Sequence, residues 1–181
     1  MGNLLFAIFL FTASSVSSME YTVVRVVDGD TVLLKGHQSL ISLDLAYIDA
    51  PELAWSPVSP CQPFSKVAQR YLEEKLLGKR VHVMMRNRTS GDGPAGIVFL
   101  DGRNINLELV KAGLAEVCLE SYPPEPSQKR YLEAQERAWS SGKGIWSLGK
   151  RYVCPRKWRE RCKERSAMAT LLYILMSQPK K

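Results

Sequence analysis

Residues 28–52 constrain the fold most, because they join a tight turn, an amphipathic strand and a second acidic turn. Asp28-Gly29 is a turn signal between two short apolar runs, which predicts a β-hairpin. From residue 40 to 48, apolar side chains alternate with polar or small ones, and this pattern predicts a third strand with one buried face. Pro51 ends this strand because it cannot donate a ladder hydrogen bond.

If this hairpin folds back on itself, Asp30, Asp49 and Glu52 meet at one rim of the sheet. Carboxylates that converge in this way repel each other unless a proton or a cation lies between them. A hard cation with oxygen ligands fits, with Ca²⁺ preferred over Mg²⁺. The same residues are also compatible with two acidic surface turns on a small β-domain.

The remainder of the first 148 residues predicts two more strands and three helices. Alternating apolar side chains indicate strands over residues 80–86 and 95–100. Apolar side chains at helical spacing indicate helices over residues 65–77, 104–112 and 127–141. We expect Ser65 to cap the first helix and Trp146 to fill the core. Strands followed by helices predict an α+β, mainly β, fold.

Several short motifs occur in a fixed order along the chain. They are VDGDTV at 27–32, IDAPE at 48–52, GIVFLDGRNIN at 96–106, LVKAGLA at 109–115, AQERA at 134–138 and GKGIW at 142–146. In this order they resemble the staphylococcal nuclease-like (thermonuclease) family over roughly residues 20–146. The resemblance implies a five-stranded OB-fold barrel with three helices. It also implies descent from Ca²⁺-dependent phosphodiesterases that act on DNA and RNA.

The resemblance assigns a role to each acidic residue of the two turns. Asp30, Asp49 and the backbone carbonyl of Ala50 match the family positions that hold one Ca²⁺ ion. Glu52 matches the catalytic position that orients the attacking water. The family also binds the phosphate with two arginines, and here those positions are Asp44 and Gly93.

The loss of both arginines favours a catalytically impaired nuclease homologue that binds nucleic acid or a partner. A transition-state arginine contributes roughly 10³ to 10⁵ in rate to related phosphoryl transfers. One alternative is an active Ca²⁺-dependent nuclease whose clamp is rebuilt from Arg86, Arg88 or Arg103, with Tyr122 as another replacement nearby. A second alternative is a structural subunit of an assembly, with the tail and the loop around Trp55 contacting a partner protein.

The N-terminal residues 1–18 carry no charge and combine an apolar run with small residues, which predicts a signal peptide. The run is too short for a transmembrane helix. We therefore expect export to the periplasm, the surface or the medium. A start at Met19 would instead indicate a cytoplasmic protein.

The chain has four cysteines, an even number that permits two disulfides in an exported protein. Proximity in sequence suggests that Cys154 pairs with Cys162, which leaves Cys61 for Cys118. A zinc site and four unpaired thiols are the other interpretations.

The nuclease-like domain is expected over residues 20–148, followed by a basic tail over residues 149–181. Residues 150–181 contain ten basic and two acidic side chains, so the remainder of a chain of net charge +7 is slightly acidic. Pro155 is expected to begin a helix. The predicted nucleic-acid-binding side chains of this helix are Arg156, Lys157, Arg159, Arg161, Lys163 and Arg165. A solvated helix that packs back on the domain, or one that binds anionic lipid, fits the pattern as well.

Overall fold

The structure is a computed structural model, which describes residues 19–54, 60–91 and 93–176. The predicted signal peptide and the loop around Trp55 lie outside these residues. Within the helix that ends the described part, side chains are described as far as Leu171.

Five strands close into a barrel. They are β1 (Met19–Val26), β2 (Thr31–Lys35), β3 (Leu40–Leu45), β5 (Arg80–Arg86) and β6 (Ala95–Leu100), and the short β4 (Ile48–Asp49) falls between β3 and β5. The strand order β3-β2-β1-β5-β6 is antiparallel, and parallel pairing of β3 with β6 closes the cylinder. The five-stranded barrel implied by the resemblance to the nuclease family is therefore confirmed. Its interior follows from the alternation within each strand, since Val32, Leu34, Leu43, Leu45, Val81 and Val83 are at most 1% exposed.

The third strand is shorter than predicted, because it ends at Leu45 rather than continuing to Ile48. Tyr47 has a φ of 72°, in the left-handed region that bulky side chains rarely adopt. The Tyr47 ring is fully buried and makes edge-on contacts with the rings of Tyr122 and Tyr131. The residue whose ring packs against these two tyrosines therefore also has the backbone conformation that interrupts the strand.

The residues after Tyr47 form a separate two-stranded sheet, in which β4 runs antiparallel to β8 (Glu116–Val117). A further short strand, β7 (Arg103–Asn104), extends the barrel sheet next to β6. Because β4 contains Asp49, the pairing with β8 fixes the backbone of that residue at the edge of the barrel.

Three helices cover the barrel: α1 (Ser65–Leu76), α2 (Ile105–Lys111) and α3 (Gln128–Ser140). Asn104 caps α2 by accepting a hydrogen bond from the N–H of Leu107. Ser65 does not cap α1 as predicted, because Phe64 occupies the cap position and the Ser65 hydroxyl is buried without a hydrogen-bond partner in the described part of the chain.

Asn106 joins α2 to the barrel. Its side chain is fully buried, accepts from the N–H of Val98 at 3.0 Å and donates to the carbonyls of Ala46 and Gly96, each at 3.0 Å. One amide therefore satisfies backbone groups at the end of β3 and in β6, next to the acidic edge of the barrel.

The segment after α3 also differs from prediction. Ile145 is the fully buried residue of the 3₁₀ helix Gly144–Arg151, whereas Trp146 is half-buried and packs on Tyr152 with ring centroids 4.9 Å apart. Close backbone contact brings this about, since the N–H of Ile145 donates to the carbonyl of Gly113 at 2.8 Å.

The last element is α4 (Pro155–Met176), which begins at the predicted proline. The side chains of Pro155 and Cys162 are buried against the domain, so the tail is docked at its start. Among the described residues, no helix has the length and apolar character needed to cross a bilayer. All four cysteines are unpaired thiols, contrary to the disulfides suggested by their spacing.

Candidate active site

The turn between β1 and β2 is built from its own carboxylate. The Oδ1 atom of Asp28 accepts from the N–H groups of Asp30 at 3.1 Å and Thr31 at 2.7 Å. Gly29 lies so close to its neighbours that a Cβ atom there would come within 2.7 Å of Ala50 Cβ and 2.8 Å of Ala68 Cβ. Glycine at this position lets the turn approach both the second acidic turn and α1.

The two acidic turns meet, as expected for a hairpin that folds back on itself. The Oδ2 atom of Asp30 accepts a 2.7 Å hydrogen bond from the N–H of Ala50, which directly follows Asp49. Both turns border an open cleft of about 310 Å³. The charged side chains that line this cleft are Asp28, Asp30, Asp44, Asp49, Glu52, Arg88 and Arg159.

Asp30 lies in a strongly unfavourable setting for a negative charge. Burial raises the pKa of its carboxyl well above the ordinary value, and the nearby charges of Asp28 and Asp49 raise it further. The hydrogen bond from Ala50 opposes this shift only in part. A carboxyl held this way gains from a positive partner.

At the opposite wall, Asp44 pairs with Arg88. The Arg88 Nη2 atom lies 2.7 Å from Asp44 Oδ2, and its Nε donates to the Tyr122 hydroxyl at 3.2 Å. The Asp44 carboxylate also accepts from the hydroxyl of Thr31 at 3.2 Å. Burial alone would lower the pKa of Arg88, but the hydrogen bonds that it donates to Asp44 and Tyr122 raise this pKa above the ordinary value.

Arg159, from the first turns of α4, reaches into the same cleft. Its Nη1 and Nη2 atoms each lie 2.9 Å from one oxygen of Asp49, and Nη1 also donates to Glu52. Asp49 is only 7% exposed, so this two-pronged contact covers most of its carboxylate. The geometry is the parallel arrangement that makes arginine–carboxylate pairs strong.

Burial and ion pairing shift the pKa values of Arg159 and Glu52. Burial alone would lower the pKa of Arg159, but its hydrogen bonds to Asp49 and Glu52 and their charges raise it above the ordinary value. Burial raises the pKa of Glu52, and Arg159 offsets that rise only in part. Arg159 therefore serves as the cation that balances this group of acids.

The oxygen chemistry of Asp30, Asp49 and the Ala50 carbonyl suits a hard cation, with water completing the coordination. In the described part of the chain, however, no cluster of three or more metal-binding side chains is preformed. Both oxygens of Asp49 are occupied by Arg159. The donor set therefore fits a cation on the condition that Arg159 moves away.

Other residues highlighted by the sequence lie in different places. Gly93 has a φ of 80° and open space where a side chain would begin. The Nε atom of Arg86 donates to the Tyr47 hydroxyl at 2.8 Å, and Arg103 pairs with Glu108. Neither arginine lines the cleft. The remaining basic residues of α4 that were predicted to bind nucleic acid are exposed, namely Arg156, Lys157, Arg161, Lys163 and Arg165.

Sequence reasoning placed Arg159 among those exposed basic residues and did not anticipate its contact with Asp49. The Pro155 helix start and Cys162, one turn beyond Arg159, are the sequence features that relate to this docking. Neither feature specifies which basic side chain faces the cleft.

Comparison with known proteins identifies the family of this chain and several relatives. A family model described as staphylococcal nuclease homologue matches residues 42–148, which include Asp44, Asp49 and Glu52. An uncharacterized endonuclease of Haemophilus influenzae is 34% identical over 155 residues, covering 83% of this chain and 80% of that protein. A thermonuclease of Staphylococcus hyicus is 29% identical over 137 residues, with 74% and 79% covered. A probable endonuclease, LCL3, of Paracoccidioides lutzii is 30% identical over 134 residues, with 67% and 38% covered.

Proposed function

Because the chain belongs to the staphylococcal nuclease family, we propose that its cleft binds Ca²⁺ and the phosphodiester backbone of nucleic acid but hydrolyses it slowly. Asp30, Asp49 and the carbonyl of Ala50 are the cation ligands in this proposal. Glu52 orients the attacking water. A bound Ca²⁺ would supply charge neutralisation at the phosphate.

The observation that carries the proposal is the environment of Asp44. This carboxylate lines the cleft, and the resemblance aligns it with a position at which the family has a phosphate-binding arginine. Its negative charge repels an entering phosphate, and its ion pair with Arg88 engages a guanidinium that could otherwise bind one. Gly93, at the second arginine position, offers no side chain.

An active nuclease is the second candidate, and the position of Arg88 favours it. Arg88 lines the cleft and is held by Tyr122, so one arginine and one tyrosine do face the space a phosphate would occupy. If the phosphate displaces Asp44 from Arg88, this pair forms a rearranged clamp. The two candidates differ in rate rather than in the bond that is cleaved.

The exposed face of α4 is proposed to contribute to binding as well. Exposed basic side chains on α4 would add nonspecific affinity for the nucleic-acid backbone through counterion release. Export of the chain, directed by the predicted signal peptide, belongs to the same proposal. A partner protein bound by α4 is a further role for the same exposed surface.

The experiment is cleavage of single-stranded DNA in Ca²⁺ and in chelator by wild type, Glu52→Gln and Arg88→Gln. We expect slow cleavage that requires Ca²⁺ and falls at least about 100-fold in Glu52→Gln, the usual scale for a lost proton acceptor. Glu136→Gln, at an exposed site on α3, is the matched control and should keep the wild-type rate.

Fast wild-type cleavage that is lost in Arg88→Gln would favour the active nuclease. Cleavage that Glu52→Gln leaves unchanged would contradict the assignment of the chemistry to this cleft.

A further inference from the structure

The contact between Arg159 and the acidic cleft joins the C-terminal helix to the residues assigned to the cation and the water. Two guanidinium nitrogens lie 2.9 Å from the two oxygens of Asp49, and one of them also contacts Glu52. The contact links residues 110 positions apart in sequence, so it depends on how α4 docks.

Several contacts hold the start of α4 in place. The Tyr152 hydroxyl donates to Glu116 at 2.5 Å, and the Gln62 amide donates to the carbonyl of Val153 at 2.7 Å. Arg156 pairs with Glu120 at 2.6 Å, and Cys162 is only 2% exposed. Arg159 is therefore delivered to the cleft by a docked segment rather than by a free tail.

The bound guanidinium and a divalent cation cannot share Asp49 in this geometry. The guanidinium covers both oxygens of this carboxylate, which is only 7% exposed, so a cation bound to either oxygen would lie directly against it. It would also lie beside a fixed positive charge, and like charges a few ångströms apart repel strongly in a partly buried site. Entry of the cation therefore requires Arg159 to leave.

We propose that α4 is an autoinhibitory strap, in which Arg159 occupies the carboxylates of Asp49 and Glu52 and excludes the divalent cation until it is released. This inference rests on the proposed function, because it takes Asp30 and Asp49 as the cation ligands. The strapped form is the cation-free state, and the cation binds only to the fraction of molecules in which Arg159 has moved. The apparent affinity is reduced by that fraction.

The test is calorimetric titration of the full chain with Ca²⁺, for wild type, Arg159→Gln and Arg161→Gln. Arg159→Gln removes the competing charge and is expected to tighten Ca²⁺ binding by about tenfold or more. Arg161→Gln changes net charge equally at an exposed position of the same helix and should bind as wild type does. Arg159→Lys keeps the charge without the two-pronged contact, so its Ca²⁺ affinity should lie between those of wild type and Arg159→Gln.

A second measurement examines the contact without any metal. In chelator, unfolding of wild type, Asp49→Asn, Arg159→Gln and the double variant forms a double-mutant cycle, and a favourable coupling between the two sites is expected. Because each variant's unfolding is recorded, failure to fold is detected directly.

Equal Ca²⁺ affinity in wild type and Arg159→Gln would overturn the strap and leave the cation site standing. No Ca²⁺ binding to either protein would overturn the cation site, and the strap with it. Absence of coupling in the cycle would overturn the strap by removing the contact on which it depends.

Discussion

Replacing Asp44 by arginine is expected to raise Ca²⁺-dependent cleavage of single-stranded DNA by about tenfold to a thousandfold, below or at the lower end of what a transition-state arginine contributes. The change removes the carboxylate that repels the phosphate and that holds Arg88 at 2.7 Å. It places a second guanidinium next to Arg88, and a phosphate between them would satisfy both. The Asp44 side chain is 41% exposed, so the barrel can accept the longer residue.

Two variants separate the contributions. Asp44→Asn removes the charge without adding a guanidinium and should give a smaller gain. Arg88→Gln in the Asp44→Arg background should remove most of the gain, because groups that act as a unit are not additive. Cleavage by Asp44→Arg that stays at the wild-type rate, with folding intact, would mean that Asp44 does not limit the reaction.

Gly93, which the resemblance aligns with the second family arginine, is less suitable for such a change. Gly93 has a φ of 80°, and an arginine there would adopt a backbone conformation that costs about 1–2 kcal/mol for residues with a Cβ. Restoring an arginine at Gly93 therefore carries a folding penalty that the Asp44 change does not.

Replacing Asn106 by leucine is expected to lower the free energy of unfolding by about 3–5 kcal/mol, because each buried polar group left unsatisfied costs about 1–3 kcal/mol. The variant would leave the N–H of Val98 and the carbonyl of Ala46 without the amide, and would remove one of the bonds to the Gly96 carbonyl. For a chain of this size the melting temperature should fall by roughly 6–20 °C.

Asn87→Leu is the matched control, because the same substitution is made at an exposed residue. Its effect should stay within about 0.5 kcal/mol. Urea unfolding of both variants and wild type gives the comparison. If Asn106→Leu were as stable as Asn87→Leu, the amide would not be what secures α2 to the barrel.

The strands could be predicted from the sequence because their cause is local, whereas their closure into a barrel was implied by the resemblance to the family. Side chains alternate within each strand, and Asp28-Gly29 fixes the first hairpin, so the meeting of Asp30 with the turn after Asp49 follows. The end of β3 could not be predicted in this way. A tyrosine in the left-handed region is disfavoured by its own propensity, and here it occurs in a residue whose ring lies between two others.

The pairing of charges in the cleft was also beyond the sequence. The pattern identified Asp44 as a departure from the family and Arg88 as a nearby replacement, but not that the two would form an ion pair. Arg159 lies in a run of similar basic residues, and only the docking of α4 distinguishes it from Lys157 or Arg161. Long-range contacts of this kind have no periodicity that a sequence reveals.

Thermal unfolding with and without Ca²⁺ tests most directly whether the acidic edge of the barrel binds a divalent cation, as proposed. A ligand that binds only the folded state at 100 times its Kd adds about 2.7 kcal/mol, or roughly 5–10 °C in melting temperature for a chain of this size. We expect wild type to melt higher in saturating Ca²⁺ than in chelator, and Asp30→Ala to lose that difference. Glu136→Gln, an exposed acidic control, should keep it. Identical melting of wild type in Ca²⁺ and in chelator would contradict the account.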